Sequence, residues 1–306
     1  MAMTHTTTFT ESIRKNITAF DYEPNGTWSF HDYTGDGIAD LIYIKTKDTG
    51  TGCVEIHVAT SESNYEEYAI QIPTVFEIEN EPPENGTFLM GHFSGDRRPD
   101  LIFIKTRNTG THCVEVHVAS AASEYQEYYL QTPTVFTETG ANLGTWTMAD
   151  FNGDGVLDLI YIRTRSIMTG CPIVWVASGA SEFQKKIYDR QMGVQAPNTG
   201  HWTFTRNPST NKLDFVWVNT GFTASGKVEA FVLPGENGYQ RWSTAFQTTF
   251  DTSYYNAPIS SVFVAKYSED SPFCLVRVRW GDTTYMTTEL EVLKVWGYGS
   301  QSTGLM

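Results

Sequence analysis

The chain has only four cysteines in 306 residues, and three of them, Cys53, Cys113 and Cys171, fall at one equivalent position of successive repeats. Residues spaced around a repeat array sit beyond the ~7 Å Cα separation that a disulfide tolerates. We therefore expect free thiols, no disulfide framework and a reducing, cytoplasmic location. The sequons at Asn16, Asn25 and Asn85 are then expected to be unglycosylated, and the NGT pairs at Asn25 and Asn85 read as turns opening a strand. Basic residues are also scarce: 21 Lys and Arg against 35 Asp and Glu give a formal charge of -14, and no basic cluster stands out. Phosphate backbones are held by such clusters, so nucleic acid is excluded as a partner. No apolar run approaches the roughly 18 residues of a membrane helix, and the N-terminal segment MAMTHTTTFTESIRKN has no apolar core of a signal peptide, so no membrane partner is expected. Catalytic signatures are missing as well: HExxH, CxxC, GxSxG, a phosphate loop and a dinucleotide fingerprint are all absent, and no organic cofactor is expected.

What is present is repetition. GTWSFHDYTGDGIADLIYIKTKDTGTGCVEIHVATSESNYEEY from Gly26 returns from Gly86 and, eroded, from Gly144. A strand-rich unit at this period means stacked copies of one supersecondary element. The first unit divides into strands at Gly26 to Asp32, Asp40 to Thr46, Cys53 to Thr60 and Tyr65 to Ile72, parted by Gly, Asp, Ser and Thr turns. Trp28 and Phe30 alternate with Thr27 and Ser29, so the bulky face of one sheet can pack on the smaller face of its neighbour. A fourth unit is recognisable by Trp202, Asp214, Val216, Glu229 and Tyr239. A fifth appears at a constant offset of 234 from the first, which lays Val262 on Trp28, Leu275 on Leu41 and Glu289 on Glu55. That unit lacks its fourth strand, and Phe9 to Phe20 aligns with Tyr65 to Phe76, so the N-terminus supplies it. The expected fold is all-β: a five-bladed β-propeller of four-stranded antiparallel blades in a single domain over 1–306, with blades near 21–76, 77–136, 137–196, 197–256 and 257–306 plus 5–20.

Between the first two strands, the third unit carries Asp150, Asn152, Asp154, Gly155 and Asp158, and the first carries Asp32, Thr34, Asp36, Gly37 and Asp40. Hard oxygen donors at alternate positions, completed by the carbonyls of Val156 and Ile38, suit a structural Ca²⁺. The second unit offers too few carboxylates, with Arg97 taking a cation's place against Asp96. The last Asp recurs in four units whatever its companions, which points to a structural acceptor of turn amides. Glu55, Glu115, Glu229 and Glu289 form a ring of equivalents, read as solvated or paired with Lys45, Lys105 and Arg163. His57 and His117 share one position with Trp175 and Phe231, which marks a packed strand site rather than an acid and base pair.

The D-x-N-x-D-G-x-x-D-L-I loops on repeated strand units resemble the FG-GAP or VCBS class of propeller repeats. The stretch NTGTxxVEVHVAS is similar to repeat modules of fungal proteins, including those resembling muramidases and lectin-like propellers. The resemblance implies a scaffold role for Ca²⁺ and a glycan or other small-molecule partner. The loops joining blades (DYEPN, EIENEPPEN, TETGANL, GVQAPN, DTSYYNAP) all differ, so one end of the axis should bear a single asymmetric pocket. Its expected ligand-binding residues are the aromatics Tyr22, Tyr254, Tyr255, Trp280, Tyr285 and Trp296. The leading reading is a soluble lectin-like propeller. The alternative is a cofactor-free enzyme of fungal natural-product biosynthesis, of cyclase or hetero-Diels–Alderase type, in which pocket shape and orientation replace a nucleophile.

Overall fold

The computed structural model describes residues 10–21, 23–138, 143–196, 200–207, 209–221, 223–252, 260–265, 274–279 and 287–295. Its strands are β1 (Thr10–Asp21), β2 (Gly26–His31), β3 (Asp40–Lys45), β4 (Cys53–Ala59), β5 (Tyr68–Glu77), β6 (Gly86–Gly91), β7 (Asp100–Lys105), β8 (Cys113–Ala119), β9 (Tyr128–Thr137) and β10 (Gly144–Ala149). They continue as β11 (Asp158–Arg163), β12 (Ile173–Ala177), β13 (Lys186–Gln191), β14 (Gly200–Arg206), β15 (Leu213–Asn219), β16 (Lys227–Leu233), β17 (Thr244–Asp251), β18 (Ser260–Ala265), β19 (Cys274–Arg279) and β20 (Thr287–Val295). Five antiparallel four-stranded sheets result, and the last has the order β1-β20-β19-β18. The molecule is a five-bladed β-propeller latched where β1 pairs with β20. The offset of 234 lands on the observed strands of the fifth blade, down to the register Arg279↔Glu289 that mirrors Lys45↔Glu55. Among the described residues no helix is long and apolar enough to cross a membrane.

Each hydrophobic cluster is one interface between blades. Ile42, Ile44, Ile56 and Val58 of the first blade meet Phe88, Met90 and Phe103 of the second. The same pattern recurs at the next junction, with Ile102, Ile104 and Val116 against Trp146, Met148 and Tyr161. At the closure, Val276, Val278 and Val292 meet Trp28, Phe30 and Tyr43. Bulky residues of one blade thus fill the surface left by β-branched residues of the blade before, as the alternation in β2 requires. Burying side chains on both faces of every sheet leaves one core per junction and no central one.

The outer strand of each blade differs from the sequence reading. β5 begins at Tyr68, not Tyr65, and runs on through Pro73 to Glu77. The delay has a local cause: Tyr65 lies in the left-handed region at φ 65, as do Tyr125, Phe183 and Tyr239 at the equivalent corners. Such a conformation costs an L residue roughly 1–2 kcal/mol, and the corner offsets it with hydrogen bonds. The Tyr65 N–H donates to Thr60 O and its hydroxyl to Ala39 O, while its carbonyl accepts the Ala19 N–H of the neighbouring blade. Val75, Val135 and Gly193 donate across the next three junctions in the same way. Pro73 is tolerated because it sits on an outermost strand at a register shift between Glu55↔Pro73 and Cys53↔Glu77. All four cysteines are free.

Candidate ligand-binding site

The acidic loops join first strands to second strands at one end of the propeller. In the first, the Asp32 carboxylate accepts the N–H groups of Gly35, Asp36 and Gly37, and Asp36 accepts that of Ile38. In the third, Asp150 accepts from Gly153, Asp154 and Gly155, Asn152 Oδ1 from the Asp154 N–H, and Asp154 from the Val156 N–H and the Asn152 side-chain amide. Ile38 and Val156 thus present N–H groups to the loop carboxylates. The closing aspartates are turn hubs: Asp40 takes the N–H groups of Tyr33, Thr34 and Ser61, and Asp158 those of Phe151, Asn152 and Gly179. Burial pushes the carboxyls of Asp40 and Asp158 upward, against the pull of those amides.

Arginines of neighbouring blades reach both of these acidic loops. Arg206, from the fourth blade, sets its guanidinium 3.1 Å from Asp150 Oδ2 and donates to the Asp150 carbonyl. Arg97 likewise reaches back across a junction to the Gly35 carbonyl at 3.3 Å, rather than pairing with its neighbour Asp96. Among the described residues no three acidic, His or Cys side chains converge as a metal cage. We expect the melting midpoint to be the same in millimolar Ca²⁺ and in chelator. A micromolar site would add about 4 kcal/mol at a thousandfold excess of ion, so a rise of several degrees with Ca²⁺ would overturn this reading.

The ring of glutamates has partners other than those expected. Glu55 accepts from Thr51 and sits 3.2 Å from His57 Nε2, Glu229 accepts from Ser225, and Glu289 pairs with Arg279. Glu115 meets Thr111 and His117, whereas Lys105 reaches Glu81 at 2.9 Å, and Arg163 donates to the carbonyls of Arg165 and Ser166. His57 and His117 are buried strand positions, in edge contact with Tyr43 and Phe103. His117 has Glu81 at 2.9 Å on Nδ1 and Glu115 at 3.2 Å on Nε2, so its imidazole lies between two carboxylates. Burial alone would raise the Glu81 carboxyl, but the His117 and Lys105 nitrogens at 2.9 Å outweigh it and hold the group below its usual range. Glu81 belongs to the crossover EIENEPPEN, where nothing in the repeat marks it.

The first strands of neighbouring blades adjoin. Strand alternation turns Thr27, Ser29 and His31 away from the Trp28 and Phe30 face. Burial brings the His31 imidazole down to about 4, with His92 adding to the effect, and burial also lowers His201.

All six aromatics expected to bind ligand, Tyr22, Tyr254, Tyr255, Trp280, Tyr285 and Trp296, lie outside the described residues. Among the described residues a groove of about 990 Å³ opens at the rim between the third and fourth blades. β13 supplies Lys186, Tyr188, Asp189, Arg190 and Gln191, and the turn before β17 supplies Asn237 and Gln240. Gln240 donates to the Gln191 carbonyl as Gln126 and Gln184 donate to Pro73 and Pro133, so the junction itself is repeated. Its chemistry is not: KIYDRQ stands where the first two blades have YAIQIP and YYLQTP. Asp189, Arg190 and Gln191 are exposed, Asp189 lies 2.9 Å from Lys186, and the half-buried Tyr188 ring packs 5.1 Å from Phe151. That substitution pattern was a usable sequence signal, hidden because the third unit read as erosion of the repeat. Two other grooves, about 250 and 630 Å³, open at the opposite end, where the crossovers lie.

No known family profile matches the chain, so the FG-GAP or VCBS type remains a resemblance, and no curated protein sequence matches it. Solved structures do. The catalytic domain of the Coprinopsis cinerea GH62 α-L-arabinofuranosidase aligns at TM-score 0.52 and 10% identity, covering 93% of this chain and 98% of that one. A thermostable family-43 glycoside hydrolase aligns at TM-score 0.52 and 12% identity, covering 97% and 98%. At such identities the likeness is one of fold, and it is to five-bladed propellers of glycoside hydrolase families.

Proposed function

We propose that the chain is a lectin-like propeller that binds carbohydrate in the rim groove between its third and fourth blades. The observation that carries this reading is the run Asp189, Arg190 and Gln191, standing where the first two blades have Gln, then Ile or Thr, then Pro, at one junction of a repeated series and opposite Asn237 and Gln240. Carboxylate, guanidinium and amide groups side by side match the alternating donors and acceptors of a sugar's hydroxyls, and Tyr188 adds a ring edge along the floor. Two structural neighbours bear the names of glycoside hydrolases, which supports the ligand class. Hydrolysis is not part of the proposal, because it takes two carboxyl groups roughly 5–10 Å apart across the scissile bond and Asp189 is the one carboxylate lining this groove among the described residues. A cyclase needs an enclosed apolar pocket, and the rim groove is open and lined largely with polar groups.

A glycan array followed by calorimetry tests the assignment. Hydrogen bonds to charged groups contribute about 1.5–3 kcal/mol each, so the double variant Asp189→Ala, Arg190→Ala should weaken binding at least roughly tenfold with an unchanged melting midpoint. Absence of any glycan binding at millimolar sugar, or undiminished binding by the variant, would refute the site.

A further inference from the structure

We infer that the smaller groove between the second and third blades is a separate ligand site, built for a small hydroxylated carboxylate such as a hexuronate. Its volume of about 250 Å³ lies just below the ~300 Å³ at which pockets begin to take drug-sized ligands, which suits a single sugar ring. The floor is rigid: Trp146 and Tyr161 stack at 4.3 Å, and both are buried. Gly86 and Gly144 let the strands close up there, since a Cβ on either would stand 2.2 and 2.1 Å from the carbonyls of Ile104 and Ile162. Thr87, Thr106 and Thr145 line the walls, with the Thr106 hydroxyl donating to the Asn85 carbonyl, and Glu84 stands at the exposed rim.

The directing group is Arg107. Its backbone is fixed by donation to the Asn85 carbonyl at 3.1 Å. Its Nε is buried and has no hydrogen-bond partner among the described residues, nor does any ion pair there engage its guanidinium. A buried donor left open costs about 1–3 kcal/mol, and Arg107 is one of the residues that line the groove. The equivalent Lys47 and Arg165 are exposed, so the burial of Arg107 is particular to this junction. In a chain of net charge -14, a guanidinium without a carboxylate of its own offers the planar fork that binds one bidentately. The threonines and Glu84 then receive the ring hydroxyls of the same ligand.

This site does not depend on the rim groove, and the experiment separates them. Glucuronate, galacturonate and neutral methyl glucoside are titrated into the full chain by calorimetry and saturation-transfer NMR. We expect a uronate to bind and methyl glucoside to bind at least about tenfold more weakly. Arg107→Gln should lower uronate affinity by about tenfold or more, Arg107→Lys should recover part of it, and Thr87→Val should weaken it without touching the charge. The Asp189, Arg190 double variant should bind uronate as the unaltered chain does. Failure of both uronates to bind, equal affinity for the neutral sugar, or full affinity in both Arg107→Gln and Thr87→Val would overturn the assignment, whatever the rim groove binds.

Discussion

A chain lacking residues 1–21 should fail to form the propeller, and a synthetic peptide of residues 5–21 added in trans should restore it. β1 is the outer strand of the last blade, paired along β20 from Thr10↔Val295 to Asp21↔Thr287. Without it β20 becomes an open edge, which invites pairing with other chains. The loss extends into the first blade. Phe20 is fully buried, with its ring centroid 4.8 Å from Trp28 and 4.9 Å from Tyr68 in edge-on contact. Ala19 donates 2.8 Å to the Tyr65 corner, and Thr18 and Thr288 exchange hydroxyl bonds with the Thr288 and Asp21 carbonyls. Removing a buried Phe alone costs roughly 3–5 kcal/mol, against a total stability of about 5–15 kcal/mol for a folded domain. Calorimetry and size exclusion should find the truncated chain aggregated and without a cooperative transition, and the peptide should bring one back. A truncated monomer melting within a few degrees of the full chain would mean that the ring does not need its latch.

The latch, the blade count and the packing order were legible because propeller repeats encode them locally: equal spacing gives equal strands, and a missing strand at one end matches a spare one at the other. The offset from Gly26 to Ser260 and the alternation of Trp28 with Ser29 carried real geometry. The start of β5 was not legible, since alternation cannot reveal that Tyr65 turns left-handed before the strand begins. Contacts between blades were hidden for a different reason. Arg206 on Asp150 and Arg97 on the Gly35 carbonyl join residues from adjacent units, and Glu81 joins a crossover to Lys105 and His117. A repeat comparison aligns such residues with their equivalents and never with their neighbours. Site residues suffer most from this, because they occur where the repeat breaks: the exposed Arg190 replaces an apolar or threonine position, and Arg107 differs from Lys47 by burial rather than by charge.

Asp158→Ala should be among the most damaging single substitutions, by about 3–4 kcal/mol, or roughly 6–12 °C in melting midpoint at this chain length. The carboxylate is fully buried and holds three N–H groups, from Phe151 at 3.0 Å, Asn152 at 3.3 Å and Gly179 at 2.9 Å. It thereby ties the loop after β10 to the turn after β12. Alanine leaves these donors without an acceptor, and at the buried Gly179 N–H water cannot substitute at low cost. Asp158→Asn keeps one acceptor oxygen but turns an amide N–H₂ toward N–H groups, so it should fall between the two. Asp154 provides the contrast: it is exposed and satisfies mainly the Val156 N–H and the Asn152 side chain, so Asp154→Ala should cost about 1 kcal/mol or less. Denaturant unfolding of the three variants decides the point. A steep loss for Asp158→Ala with a slight one for Asp154→Ala means that the turn amides organise this loop, whereas equal losses, reversed by added Ca²⁺, would mean that a cation does.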